Sequence, residues 1–162
     1  MTAEVAVVAG ASGALGGAIA DALRAAGLHV VAVARTAPPS GPSTTGCAAD
    51  VGTAAGADAV SAAVAAAGGP VRMVVQAVGL PPTGPLDAID PDALGATVAL
   101  KVGGLLRLVR AVDTQLVGGS RIVALGGHYG SEPSPTPAPR ASPTPRWPTW
   151  CASSPSPTGR AG

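Results

Sequence analysis

The sequence predicts an α/β fold with a doubly wound parallel sheet, its five strands in the order 3-2-1-4-5. Runs of β-branched residues alternate with Ala- and Leu-rich stretches as far as about residue 130, the pattern of parallel strands joined by helices. Four of the five strand segments are nearly all apolar, which is typical of strands covered on both faces. We therefore expect helices on both sides of the sheet, with right-handed crossovers.

Each element follows from a local pattern of residue types. Glycines end the first apolar run, and the Ala-rich stretch after them has helical character. Asp90 is a candidate N-cap, with Pro91 at the first position of the last predicted helix. The predicted strands cover residues 4–9, 29–34, 47–49, 71–78 and 121–125, and the predicted helices cover 14–26, 53–67 and 91–114.

The longest predicted helix, 91–114, has a wide apolar face interrupted by Lys101, Arg107 and Arg110. Packing of the helix on the sheet accounts for much of this face. An interface with a second copy of the chain would account for the remainder. The sequence leaves both explanations open, so a homo-oligomer formed through this helix is a hypothesis.

A glycine-rich turn joins the first strand to the first helix, with Gly10, Gly13 and Gly16 three residues apart. Such a turn lets phosphate groups approach the backbone, and the helix that begins there offers free N–H groups and the positive end of its dipole. The spacing predicts a dinucleotide site. A plain strand-turn-helix within a core is the alternative.

Composition excludes several other classes of protein. The chain has 162 residues, is 47% hydrophobic and 12% charged, and carries a net charge of +1, so it has no basic footprint for nucleic acid. Its apolar runs are too short to span a membrane, and no signal peptide precedes the first strand, so we expect a cytoplasmic protein. Cys47 and Cys151 lie far apart and support neither a disulfide framework nor a metal cluster.

The chain changes character after Gly130. Residues 131–162 hold nine of the 17 prolines and contain no Leu, Ile or Val. Such a segment has too little apolar surface to offset the entropy of ordering. We therefore predict one domain over residues 1–130 and a disordered Pro/Ser/Thr-rich tail over 131–162.

Five segments, taken in order, resemble the short-chain dehydrogenase/reductase family. Residues 9–16 are similar to its TGxxxGxG turn, with Ala9 in place of Thr and Ala14 in place of the middle Gly, and the glycine spacing also fits the GxxGxxG of atypical members. The others are Asp50-Val51, the Gln76-to-Gly79 segment at the NNAG position, the segment from Gly84, and Arg121 to Gly127. The resemblance implies a Rossmann-like sheet that is truncated after strand five.

The resemblance also implies a nicotinamide cofactor, with Asp50 and Val51 at its adenine. At the end of strand two an acid would select NAD, whereas this chain has Arg35 there, about 20 residues past the glycine turn. A guanidinium matches the 2′-phosphate of NADP in charge and in hydrogen-bond geometry, so NADP is favoured over NAD. The residues predicted to bind the cofactor are Gly10, Ser12, Gly13, Leu15, Gly16, Arg35, Asp50, Val51, Ala77 and Gly79.

Hydride transfer in this family is implied to use Ser, Tyr and Lys, commonly with an Asn. Gly127 stands at the serine position and Lys101 at the Asn position, and no Tyr-x-x-x-Lys motif follows. The single tyrosine, Tyr129, comes two residues after the serine position. His128, Tyr129 and Ser131 could contribute to a site there; the alternative is that they are ordinary solvated or packed loop residues. We therefore assign no catalytic residue and no metal ligand.

A frameshift is one hypothesis for the tail. In the frame built from the last base of each codon and the first two of the next, Trp147-Pro148 must encode Ala and Trp150-Cys151 must encode Val. Permissible codons from Pro139 to Pro155 then encode a segment with Leu, Leu, Val and Leu at helical spacing. A genuine Ser/Pro linker is the rival explanation, and the coding DNA distinguishes the two.

Three functions remain open on the sequence. The first is an NADP-dependent oxidoreductase by descent, which acts on a small carbonyl or alcohol and is catalytically impaired. The second is a non-catalytic protein that binds NAD(P) as a regulator or subunit. The third is a nonfunctional translated fragment, whose uncovered sheet edge favours aggregation.

Overall fold

The computed structural model describes residues 3–79 and 90–126 of the chain. Each helix and strand is bounded as follows: β1 (Val5–Ala9), α1 (Ala14–Ala25), β2 (His29–Ala34), β3 (Thr44–Ala48), α2 (Ala54–Ala67), β4 (Val71–Gln76), α3 (Pro91–Val98), a π-helical turn (Ala99–Gly103), α4 (Gly104–Ala111), a 3₁₀ turn (Asp113–Gln115) and β5 (Leu116–Ala124). The strands form one parallel sheet in the order β3-β2-β1-β4-β5. The predicted fold class and strand order are confirmed.

Alternate residues of β1 and β2 point into two separate apolar layers, as the pleat of a strand requires. On one face, α2 and α4 cover the sheet, and Val60, Val64 and Leu108 are buried there. On the other face, α1 packs through Ala20, with Ile19 partly buried beside it. Helices therefore lie on both sides of the central strands, and every residue of β1 is buried.

Three strands have bounds that differ from those predicted by two residues or more. β3 begins at Thr44, because it continues the ladder with β2 from Val30 onward. β4 ends at Gln76, although we expected it to continue to residue 78. β5 begins at Leu116, five residues earlier than expected, because an irregularity in its register with β4 accommodates additional residues that include a glycine pair.

The single helix predicted over 91–114 is divided by the π-helical turn. Asp90 is the N-cap, as predicted, and its side chain accepts a hydrogen bond of 2.9 Å from the Asp92 N–H. The turn contains Ala99 to Gly103, where the helix takes wider i→i+5 bonds. Gly103 and Gly104, which lower helix propensity, are the one sequence signal for this wider turn.

β5 is more exposed than its apolar sequence predicted. It is the edge strand, and within the described residues no helix covers Ile122 and Val123, which are 50% and 40% exposed. The predicted segment 84–87, the serine position at Gly127 and the Pro-rich tail 131–162 lie outside the described residues. No helix within 3–79 and 90–126 is long and apolar enough to cross a membrane.

Truncation of Leu108 tests the packing of α4 on the sheet. Leu108→Ala is expected to lower the free energy of unfolding by about 2–5 kcal/mol, because a side chain that is 1% exposed leaves a cavity. Leu15→Ala, at 67% exposure in the first turn of α1, is the control and should cost less than about 1 kcal/mol. Urea denaturation measures both, and equal losses would contradict the described packing of α4.

Candidate functional site

A cavity of about 550 Å³ opens at the carboxyl ends of β1, β2, β3 and β4. In an open parallel sheet this is the edge at which ligands bind, where the direction of the chain connections reverses. The cavity is lined by Gly10, Ser12, Gly13, Val33, Ala34, Arg35, Ala49, Asp50, Val51, Gly52, Thr53, Ala77, Val78, Gly79, Ala96, Ala99 and Leu100.

The glycine turn forms one wall of this cavity. Gly10 has φ of +87°, a left-handed conformation that favours glycine, and its N–H donates to the Val33 carbonyl at 2.8 Å. Gly16 lies in the first turn of α1, and a Cβ atom there would overlap the carbonyl oxygen of Gly10. The two glycines therefore let α1 begin directly against the end of β1.

The start of α1 is open to a ligand. Its N-cap is Gly13, and among the residues that the structure describes no side chain caps the helix. The first N–H groups of a helix have no partner within the helix, and the helix dipole adds partial positive charge there. An anion at this end of the cavity would supply the missing hydrogen-bond acceptors.

A second turn, between β3 and α2, has the same spacing and serves as an internal comparison. Asp50, Thr53 and Gly56 repeat the intervals of Gly10, Gly13 and Gly16, and a Cβ atom at Gly56 would overlap the Asp50 carbonyl oxygen. Here Thr53 Oγ1 accepts from the Gly56 N–H at 3.0 Å, and Asp50 Oδ1 accepts from the Gly52 N–H at 2.8 Å. The chain therefore occupies this helix start with its own side chains.

Arg35 and Asp50 lie at the β2 and β3 end of the cavity. Arg35 follows directly after β2 and is exposed, and within the described residues it has no carboxylate within ion-pair distance. Asp50 follows β3, with Val51 buried behind it. This end of the cavity therefore offers one guanidinium and one carboxylate to a ligand.

The opposite end of the cavity, beyond β4, contains Gly79 and lies next to Lys101. Lys101 Nζ donates to the carbonyl oxygen of Leu125 at 2.8 Å. A Cβ atom on Gly79 would overlap Lys101 Cε and lie 2.6 Å from Nζ, so the absence of a side chain at Gly79 makes room for the lysine. The ammonium group consequently lies over the ends of β4 and β5.

Gln76 is a buried polar residue that was not among the predicted site residues. It is 1% exposed, and its Nε2 donates to the Leu100 carbonyl in the π-helical turn at 3.3 Å. Its Oε1 has no hydrogen-bond partner within the described residues. An amide at the end of an apolar strand was the available signal, because buried polar side chains are usually placed to bond a specific partner.

Eight of the ten residues predicted to bind a cofactor line the cavity, and Leu15 and Gly16 are the two that do not. Leu15 is 67% exposed, and Gly16 packs against the turn. Part of the cavity wall was not predicted from the sequence. Ala96, Ala99 and Leu100 line the cavity at helical i, i+3 and i+4 spacing, a pattern visible in the sequence.

Cys47 lies in β3 and is free and buried. Burial raises the pKa of its thiol, which disfavours the reactive thiolate. Within residues 3–79 and 90–126, no group of three or more His, Cys, Asp or Glu side chains is arranged to hold a metal ion.

The family model for short chain dehydrogenases matches residues 4–139 of this chain. The chain belongs to the short-chain dehydrogenase family. Similar solved structures include a short-chain dehydrogenase from Streptomyces avermitilis, with 32% identity and a TM-score of 0.61, in which the match covers 70% of this chain and 44% of that one.

Two further similar structures were solved with cofactors. A short chain dehydrogenase from Burkholderia cenocepacia in complex with NADP has 25% identity and a TM-score of 0.70, over 81% of this chain and 58% of that one. A 3-ketoacyl-(acyl-carrier-protein) reductase from Brucella melitensis complexed with NADH has 25% identity and a TM-score of 0.62, over 69% and 50%. This family member thus spans about half the length of these solved relatives. No curated protein sequence matches the chain.

Two neighbouring glycines test the turn with opposite expected signs. Gly16→Ala should lower the free energy of unfolding by about 1–3 kcal/mol, because its methyl group would overlap the Gly10 carbonyl. Gly17→Ala is the matched control: the nearest atom is 3.4 Å away, and alanine favours the helix by about 0.5–1 kcal/mol. Urea denaturation measures both variants. A stabilising Gly16→Ala would refute the close contact.

Proposed function

We propose that the chain binds NADP across this cavity and descends from oxidoreductases that transfer hydride between NADP and a small carbonyl or alcohol. The observation that carries the proposal is the uncapped start of α1 beside the glycine turn. The contrast with α2, whose start is capped by Thr53, supports phosphate binding at α1 in particular. Family membership supports a nicotinamide dinucleotide as the source of that phosphate.

The cofactor-binding residues that we propose follow the course of the cavity. The pyrophosphate would contact the turn of Gly10, Ser12, Gly13, Leu15 and Gly16 through backbone groups, which does not require the Leu15 side chain to line the cavity. Asp50 and Val51 would contact the adenine end. Ala77 and Gly79 would contact the nicotinamide half, which must lie beyond β4 when the adenosine half lies over β2 and β3.

Arg35 supports NADP rather than NAD. Its exposed guanidinium lies at the β2 end of the cavity, where an acid would instead bind the ribose hydroxyls of NAD. Within the described residues, its charge has no carboxylate partner to compete with a phosphate. A guanidinium also pairs with two phosphate oxygens at once.

Hydride transfer by this chain is proposed to be weak. A phenol has a pKa of about 10, so it exchanges a proton near neutral pH only beside a cation. The sequence has no Tyr-x-x-x-Lys motif, and the serine position is Gly127. A broad screen of carbonyl compounds for NADPH oxidation, with calorimetry of NADPH binding, separates the candidates: turnover supports an active enzyme, whereas saturable binding alone supports a non-catalytic NAD(P)-binding protein.

Substitution of Arg35 tests cofactor choice. Arg35→Gln should weaken NADPH binding by about tenfold or more, because it removes a charge-assisted hydrogen bond, and should change NADH binding by less than about twofold. Arg35→Lys is the matched control: it keeps the charge without the planar fork, and should lie between the wild type and Arg35→Gln. Titration calorimetry with both cofactors measures this, and equal losses for NADPH and NADH would count against a 2′-phosphate contact.

We also propose that α3, the π-helical turn and α4 mediate self-association through an exposed stripe of Leu94, Val98, Val102 and Leu106. These side chains are 48% to 65% exposed. Residues four apart on an α-helix rotate by about 40° per step, and the wider π turn offsets part of this drift. The stripe therefore stays aligned along one side of the helix.

A charge in this stripe tests the association. Val98→Glu should lower the apparent mass in light scattering coupled to size-exclusion chromatography, because burying an unpaired carboxylate is costly. Ala93→Glu introduces the same charge on an exposed neighbouring face and should leave the mass unchanged. Equal apparent mass for wild type and Val98→Glu would contradict the proposal.

A further inference from the structure

The ammonium group of Lys101 lies beside Gly79, which lines the cavity beyond β4, and it has no counter-ion among the described residues. It is half-buried, lies over Gly79, and donates one hydrogen bond, to the Leu125 carbonyl. Within residues 3–79 and 90–126, no carboxylate lies within 4.0 Å of Nζ, because the two ion pairs there are Arg24 with Asp21 and Arg72 with Glu4. Lys101 is also the single lysine of the chain.

In the part of the chain that the structure describes, this arrangement leaves N–H donors of the ammonium group without an acceptor. An ammonium group has three N–H donors, and one is bonded to Leu125. A partly desolvated cation gains most from an anionic acceptor, since a charge-assisted hydrogen bond is stronger than a neutral one. The Leu125 carbonyl carries no net charge, so it satisfies one donor, and the ammonium has no charged partner among residues 3–79 and 90–126.

The position of Lys101 indicates which ligand could supply the anion. Arg35 and the start of α1 lie at the other end and centre of the cavity, where the charged phosphates of the cofactor would bind. The nicotinamide half beyond β4 carries no phosphate next to its ring. An anion at Lys101 would therefore belong to the second ligand of the site.

We propose that Lys101 forms a cationic subsite for the carboxylate of a carbonyl compound, so that the preferred second ligand is an oxo acid. The assignment rests on the proposed binding of NADP. Gln76 supports the subsite indirectly. Its Nε2 donates a hydrogen bond to the Leu100 carbonyl, which holds in place the π-helical turn that carries Lys101. Gly79 contributes by leaving room for the lysine side chain.

The single lysine allows a direct test on the full chain. Incorporation of ¹³C-labelled lysine gives one Cε resonance, which reports on the surroundings of Nζ. Oxidised NADP is added first, so that a bound carbonyl compound cannot be reduced. The chain is then titrated with 2-oxobutanoate, and in parallel with 2-oxobutanamide, which has the same shape without the charge. A saturable shift with the acid and none with the amide is the expected result.

Two variants separate a subsite from a structural anchor. Lys101→Met keeps the apolar stem and should weaken 2-oxobutanoate binding by about tenfold or more in calorimetry, with NADP affinity within about twofold. Arg110→Met removes an exposed positive charge from the same helical segment and should leave both affinities unchanged. Retained NADP affinity in Lys101→Met also reports that this variant folds.

Equal shifts with the acid and the amide, no saturable shift with either, or an unchanged acid affinity in Lys101→Met would overturn the subsite. Loss of NADP affinity in Lys101→Met would also overturn it, because the lysine would then belong to the cofactor site. If the wild type fails to bind NADP, the proposed function fails. The Cε titration without cofactor still tests the subsite, and an acid-specific shift supports it.

Discussion

The contact between the Gly10 carbonyl and the first turn of α1 is the constraint on which the rest of this molecule depends. Because residue 16 has no side chain, the helix begins against the strand end and its free N–H groups reach the edge of the sheet. The left-handed backbone at Gly10 turns the chain at the same point. Any larger residue at position 16 would separate the helix from the strand and displace the wall of the cavity.

The two turns that join a strand to a helix at this edge show that spacing alone does not make a binding site. In both turns a glycine packs against the carbonyl group of the residue six positions earlier. Both turns also begin a helix of at least 12 residues. They differ in their polar side chains: Thr53 caps α2, whereas Gly13 leaves α1 open. The anion site that we propose at α1 therefore depends on the lack of a side-chain cap among the described residues, which residue spacing alone does not reveal.

Much of the fold could be predicted because it depends on local residue patterns. Continuous β-branched runs gave β1 and β2, Asp90 and Pro91 marked the start of α3, and the glycine spacing identified the turn at the cavity. Long-range contacts were not predictable in the same way. The start of β5 depends on register with β4, and the contact of Lys101 with Leu125 joins residues 24 positions apart. Cavity lining by Ala96, Ala99 and Leu100 depends on how the helix is oriented on the sheet.

The π-helical turn makes backbone geometry, rather than residue type, a determinant of this cavity. A π turn holds one more residue than an α turn at the same place. If Ala99 to Gly103 took ordinary α-helical bonds instead, that additional residue would rotate α3 by about 100° relative to α4. Ala96 would then leave the wall, and the exposed stripe would be broken in two. An insertion of one residue into an ancestral α-helix, absorbed as this wider turn, would thus keep the inner and outer faces of the helix in phase on both sides of it.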